Sequence, residues 1–259
     1  MMHIISDTLQ PANPVVLSAI QQENPEPIRQ IVRSALAKGI HGIDINCGPL
    51  PKHPERKMSF MVDTVQAETR LPLLLDTTNP RAIAAGLKVC RNRVVVNGLS
   101  LEPSKLEGIL PLAIAHDVDV VGFLLTPEGQ VPATLDERIG IAVQLFDVSI
   151  KAGLSAERLI IDPIVAPLAW ANGLQMNRDL LQILKLLPEV LDYPVRTIAG
   201  LSNLTAGIRN IAKKTALECA FLPMMAQAGL TWVLMNVERQ ATTAVAAACR
   251  QLLHEAVFA

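Results

Sequence analysis

The sequence predicts an α/β fold, a TIM-type (β/α)8 barrel, in a single domain over residues 1–259. Three observations carry that expectation. Strand and helix signals alternate from end to end, which favours a parallel sheet with crossover helices. Short, wholly apolar runs recur, the pattern of strands buried on both faces. Many of these runs end in Asp or Asn: Ile43-Asp44-Ile45-Asn46, Leu73-Leu74-Leu75-Asp76, Val94-Val95-Val96-Asn97, Leu159-Ile160-Ile161-Asp162, Leu201-Ser202-Asn203 and Leu234-Met235-Asn236. A polar residue at the C-terminal end of strand after strand is how a parallel barrel furnishes its mouth.

Taken in order, the first strand is expected at His3 to Ser6. A helix from Pro27 to Lys38 follows, opened by proline and closed by Gly39. The second strand is Gly42 to Asn46, then a helix from Glu55 to Thr69, then the strand Leu73 to Asp76. Asn79-Pro80 supplies a cap and a first-turn proline to a helix that ends at Val89. Arg93 to Asn97 is the fourth strand, and Ser104 to His116 the next helix. Val118 to Leu125 is the fifth strand, with a helix from Thr134 to Ala152. Leu159 to Asp162 is the sixth, with a helix from Asn177 to Leu187. Val195 to Ala199 is the seventh, followed by a helix from Lys214 to Gln227 that Pro223 is expected to bend or break. Trp232 to Met235 is the eighth, and a helix from Thr242 to Leu253 closes the chain.

Composition narrows the function. Half of the residues are hydrophobic and 18% are charged, enough apolar material for a large core. The net charge is −1 and lysines and arginines do not cluster, which argues against nucleic acid as a partner. Cys47, Cys90, Cys219 and Cys249 lie far apart, with no C-x-x-C, and read as reduced thiols of a cytoplasmic protein. The start of the chain lacks the basic segment and cleavage site of a signal peptide. The apolar stretch from Ala220 to Met235 is interrupted by Pro223, Gln227, Gly229 and Thr231, so a helix, a turn and a strand are expected there rather than a membrane span. His3, His41, His53, His116 and His254 are scattered, and no bound metal is expected. No P-loop, dinucleotide fingerprint or nucleophile elbow is present; Ser202 lacks the flanking glycine pattern.

The strand ends carry amides and carboxylates without lysine or arginine runs. Such a set suits a flat, neutral heterocycle with many donors and acceptors. Each has a local alternative. Asp76 before Thr77-Thr78 can cap a turn, Asp162 before Pro163 can fix a strand exit, and Asn97-Gly98 is a common turn dipeptide. Their repetition at one end of a barrel favours a site.

The segments Ile43-Asp44-Ile45-Asn46-Cys47-Gly48-Pro49, Leu75-Asp76-Thr77-Thr78-Asn79, Val96-Asn97, Ile161-Asp162-Pro163 and Gly200-Leu201-Ser202-Asn203 resemble the pterin-binding methyltransferases. More closely, they resemble the methyltetrahydrofolate:corrinoid (iron-sulfur protein) methyltransferases, in the same order from about Pro25 to Val257. The resemblance implies that Asp76, Asn97 and Asp162 hold the pterin edge, with Asp44 and Asn46 deeper in support. It implies that Asn203 bonds the N5 nitrogen bearing the methyl group and is the catalytic residue. The implied substrate is methyltetrahydrofolate or tetrahydrofolate. The implied methyl acceptor is a Co(I) corrinoid of the cobalamin type on a separate corrinoid protein, and the implied assembly is a homodimer through the helices from Lys214 and Thr242.

The chain departs from that family in three places. The usual Gly-Glu-Arg-Ile-Asn segment is replaced by Ser6-Asp7-Thr8-Leu9-Gln10-Pro11-Ala12-Asn13, where Asn13 stands in for the missing asparagine. The Asn-Arg pair after Gly-Leu-Ser-Asn is represented by Arg209-Asn210 and Lys213-Lys214. The last strand ends in Asn236 instead of Asp. Two other readings stay open. Dihydropteroate synthase shares the barrel and pocket, but its early Asn-x-Thr-x-Asp-Ser-Phe loop and late Lys/Arg-x-His group are not evident. A non-catalytic pterin- or corrinoid-protein-binding module is the other.

Overall fold

A computed structural model describes residues 2–48 and 52–253. Pro49, His254 and Val257 therefore lie outside the described residues. Eight strands close into one barrel, each parallel to its neighbours, with β1 beside β8. They are β1 His3–Leu9, β2 Gly42–Asn46, β3 Leu73–Asp76, β4 Val94–Leu99, β5 Asp119–Phe123, β6 Leu159–Asp162, β7 Arg196–Gly200 and β8 Trp232–Met235. The helices are α1 Pro14–Gln22, α2 Pro25–Leu36, α3 Pro54–Gln66, α4 Pro80–Val89, α5 Pro103–Gly108, α6 Leu110–Ala115, α7 Leu135–Lys151, α8 Gly173–Val190, α9 Ile211–Gln227 and α10 Gln240–Leu252. A short 3-10 turn, Leu201–Thr205, follows β7. Among the described residues no helix is long and apolar enough to cross a membrane.

Side chains alternate between two core layers because successive strand residues face opposite sides. Ile5, Leu74, Val95, Val121, Ile160, Ile198 and Trp232 pack together inside the barrel. Ile43, Ile45, Leu73, Leu75, Val96 and Ile161 belong to the larger layer between the strands and the helices. The parity then fixes what faces the axis at the mouth. Two residues beyond the inner layer stand Asp7, Asp76, Asn97, Asp162 and Gly200. On β2 the inward positions are Gly42, Asp44 and Asn46: a Cβ on Gly42 would meet Ile5 and Leu74 of the inner layer. Register sets their height. Asn46, Asp76 and Asn97 are cross-strand partners, and Asp44 pairs with Leu74 one layer below.

The opposite end of the barrel is closed by charge pairing. Asp119 is buried and accepts from Arg93 Nη2 at 2.6 Å, Arg196 Nη1 at 3.0 Å and Arg158 Nη1 at 3.3 Å. These partners outweigh burial and hold its carboxyl below the usual range.

Several elements differ from expectation. β1 runs to Leu9, three residues past Ser6, and so carries Asp7 into the barrel. α1 was not expected; Asn13 caps it by accepting from Val15 N, with Pro14 in its first turn. α2 starts at Pro25 because Asn24 provides its cap. The expected helix Ser104 to His116 is two, broken at Ile109 where Pro111 opens α6. Pro223 does not end α9, which continues to Gln227. Phe221, Leu222, Met225 and Ala226 on both sides of it are buried, and that burial outweighs the missing backbone bond.

Candidate functional site

The mouth is built from the ends of β1, β2, β3, β4 and β6 and the turn after β7. Asn46 Nδ2 donates to Asp76 Oδ2 at 2.6 Å, and its Oδ1 accepts from Gly48 N at 2.8 Å. Gly48 has φ +64, and a Cβ there would lie 2.7 Å from Pro11 Cγ. Only glycine lets the β2 loop pack this closely on the β1 loop. Asp44 is buried below them beside Asn97 of β4, which partly offsets the rise of its carboxyl, and the Oδ1 of Asp44 has no partner among the described residues.

Asp162 is aimed by its own turn. Ile164 N donates to Asp162 Oδ1 at 2.8 Å, and Ile164 has φ +63. A β-branched residue in the left-handed region is strained, and such strain persists only when neighbours hold it. Here the neighbour is Arg138, wholly buried on α7. Its Nη2 donates to the carbonyls of Pro163 and of Ile164, the latter at 2.8 Å, and its Nη1 donates to Met176 O at 2.8 Å. A guanidinium is thus locked behind the strained turn, with its charge toward Asp162.

Asn203 sits at the rim, exposed, on the turn after β7. Its amide folds back over the end of the strand: a Cβ on Gly200 would lie 3.0 Å from Asn203 Nδ2. The turn is tied down on both sides of Asn203. Ser202 Oγ donates to Asp7 Oδ2 at 3.1 Å. Thr205 Oγ1 donates to Glu218 Oε1 at 2.5 Å, and Arg239 Nη1 donates to Glu218 Oε2 at 2.5 Å.

Burial raises every mouth carboxyl. Asp7 and Asp76 are each pushed up to about 6, and Asp162 to about 7, where Ile164 N and Arg138 pull it partly back. Asp44 rises well above the carboxylate range, through burial and then the charges of Asp76 and Asp7. A ligand offering N–H groups supplies the donors this mouth lacks. Cys47 is buried beside it and its thiol is pushed up to about 12, so it is not a ready nucleophile.

The structure therefore brings Asp44, Asn46, Asp76, Asn97 and Asp162 to one mouth, with Asn203 at its rim. Asn13 goes elsewhere. Together with Thr8, Gln30 and Asn236 it lines a cavity of about 550 Å³ between β1, α2 and the loop after β8. Asn210 caps α9, and Arg209 and Lys213 are exposed. Among the described residues no three His, Cys, Asp or Glu side chains gather as a metal-ligand group. Asp7, Arg138, Glu218 and Arg239 were missed. For Asp7 the signal was available, two residues after Ile5; a lone arginine or glutamate within a helix, as Arg138 and Glu218 are, or in a loop, as Arg239 is, gives none.

The family model of the pterin binding enzymes matches residues 15–248. The chain belongs to that family. It is 27% identical over 211 residues to a methylcorrinoid:tetrahydrofolate methyltransferase of Eubacterium limosum, covering 80% of this chain and 76% of that one. It is 24% identical over 229 residues to a methionine synthase of Mycobacterium tuberculosis, covering 85% of this chain but 19% of that much longer protein. Among solved structures, a dihydropteroate synthase of Xanthomonas albilineans in complex with 7,8-dihydropteroate superimposes with a TM-score of 0.68 at 20% identity, over 97% of this chain and 93% of that one. That likeness is one of fold.

Proposed function

We propose that this protein moves a methyl group between N5 of methyltetrahydrofolate and the Co(I) corrinoid of a separate corrinoid protein. The observation that carries the reading is a mouth of buried acceptors with an exposed amide, Asn203, at its rim. The pterin ring presents an amidine-like N–H edge, which Asp162 and Asp76 accept, while Asn97 both donates and accepts. Asp44 and Asn46 support these from below and beside. The named activity of the Eubacterium limosum relative supports the same chemistry.

A tertiary amine leaves poorly unless its nitrogen gains a strong hydrogen bond or a proton as the C–N bond breaks. Asn203 donates that bond without itself titrating, from a rim position where N5 would lie. The corrinoid supplies the nucleophile, so the chain needs no Ser, Cys or His for attack. A synthase releasing pyrophosphate would need free cations at the mouth; Arg239 is committed to Glu218 and Arg138 to backbone carbonyls, which leaves that role to the exposed Arg209 and Lys213 beyond the Asn203 turn. A homodimer would use α9, as the resemblance implies, but with α8 in place of the helix from Thr242: there Leu174 and Met224 are 57% and 50% exposed beside Leu181 and Phe221.

The test is calorimetric titration with methyltetrahydrofolate, then single-turnover transfer to Co(I) cobalamin. Binding with transfer is expected. Binding without transfer would favour a pterin-binding module, and condensation of a pterin pyrophosphate with aminobenzoate would favour the synthase.

A further inference from the structure

Asp7 takes no part in the chemistry above, yet it is the mouth carboxyl joined to the Asn203 turn. It faces the barrel axis on β1 and is 6% exposed. Its Oδ2 accepts from Ser202 Oγ at 3.1 Å, and its Oδ1 is buried with no partner among the described residues. The charged groups facing it come from three elements: Asp44 on β2, Glu218 on α9 and Arg239 in the loop after β8. Arg239 bonds Glu218, so that pair largely cancels and Asp7 is left without a counter-ion of its own. A buried acid in that position is accommodated most cheaply with its proton on. Burial accordingly pushes it up to about 6.

The proposed reaction needs such a group. N5 must finish with a hydrogen, and an asparagine amide can donate a bond but cannot give up a proton. Asp76 and Asp162 are occupied as acceptors for the ring edge, and Asp44 lies a layer deeper. Asp7 remains, one residue away from Asn203 through its bond to Ser202.

We propose that Asp7 is the proton-holding residue of the mouth: it stores the proton that N5 acquires as the methyl group leaves, and through Ser202 it positions the Asn203 turn. This rests on the methyltransferase reading and deepens it. The C–N5 bond breaks with its electron pair staying on N5. The Co(I) substrate accepts the methyl group and supplies both electrons of the new bond. N5 takes one proton; Asp7 gives one up across the solvent of the mouth and regains it after product leaves.

The full chain is compared with Asp7→Asn, which keeps a partner for Ser202, and with Ser202→Ala. Infrared difference spectra between about pH 5 and pH 8 need no substrate, and report buried carboxyl groups directly. Asp76 and Asp162 titrate in the same window, so one of the titrating protonated-carboxyl bands of the wild type should be missing in Asp7→Asn while the others remain, and all should be kept in Ser202→Ala. Single-turnover transfer from methyltetrahydrofolate to Co(I) cobalamin gives the second readout. The wild-type rate should fall as pH rises through the Asp7 titration. Asp7→Asn should be slower by roughly ten- to a hundredfold at about pH 5.5, flat across that limb, and close to wild type at about pH 8.5. Its affinity for methyltetrahydrofolate should change by less than about threefold. Ser202→Ala should be slowed while keeping the pH limb. An Asp7→Asn spectrum that keeps every titrating carboxyl band of the wild type, or a wild-type rate and pH profile in that variant, overturns the proposal alone. A wild-type chain that binds no methyltetrahydrofolate and transfers nothing overturns the methyltransferase reading, and the assignment of Asp7 with it.

Discussion

At the scale of single residues, Asp162 and Asn203 divide binding from rate. Asp162 must be ionised to accept from a ring N–H edge, yet burial holds its empty-site value near about 7. Affinity for methyltetrahydrofolate is therefore expected to rise with pH up to that value. Each unit below it should weaken binding by up to about tenfold. Asp162→Ala should cost roughly 2–3 kcal/mol at neutral pH by titration calorimetry; unchanged affinity removes Asp162 from the site. Asn203→Ala should lower kcat and kcat/KM by roughly ten- to a thousandfold in single turnover. A raised KM alone would make Asn203 only a binding residue. Gly200 offers an independent probe of the same amide. Its φ of −81 accepts alanine without strain, but the new Cβ would stand 3.0 Å from Asn203 Nδ2. Gly200→Ala should keep the thermal midpoint and slow transfer, because only the amide has to move.

At the scale of elements, the turn from β6 into α8 is what aims Asp162. Its strain at Ile164 is held by Arg138, whose removal would leave buried carbonyls unpaired. Arg138→Met should destabilise the fold by about 3 kcal/mol in urea denaturation, and weaken methyltetrahydrofolate binding as Asp162 loses its aim. A stable variant with full affinity would show that the turn holds itself. Other elements show how far local rules reach. Asn79-Pro80 identified the start of α4, and Asn13-Pro14 and Asn24-Pro25 carry the same signal for α1 and α2. Pro223 shows where those rules yield: flanking residues buried against the barrel carry the helix through it.

At the scale of the whole molecule, the mouth trades stability for chemistry. Asp7, Asp76 and Asp162 have folded values of about 6, 6 and 7, above the ordinary 3.8. A raised acid favours the fold when protonated, so this contribution is present below about pH 4 and lost as pH rises to about 7. His41, lowered to about 4 by burial, works in the opposite direction between about pH 4 and 6.5. The comparison that isolates the mouth is Asp162→Asn. Its stability gain over wild type should be small near pH 4 and grow up to about pH 7 in chemical denaturation of the ligand-free protein. A gain independent of pH would mean that Asp162 is ionised throughout. For the assembly, Met224→Glu on α9 should shift a dimer to monomer in sedimentation without unfolding the barrel; an unchanged mass would place any dimer face elsewhere.

The sequence by itself determined the alternation of strands and helices, the polar strand ends and the family, because each is written in local periodicity and short motifs. Asn46, Asp76, Asn97 and Asp162 were legible in that way: a residue at the end of an apolar run reaches the mouth wherever a parallel barrel closes, whereas Asp44, inside its run, was implied only by the family resemblance. Asp7, two residues after Ile5, was half legible; the tertiary structure decided that it joins them, because β1 continues past Ser6 beside β2 to Leu9. It also decided that Asn13 serves a helix cap outside the barrel wall, that Arg138 stands behind Asp162, and that Glu218 and Arg239 anchor the turn of Asn203. These last partners are separated in sequence by tens of residues. Their pairing comes from barrel closure and from the burial of charges that must find donors or acceptors, and no local pattern encodes it.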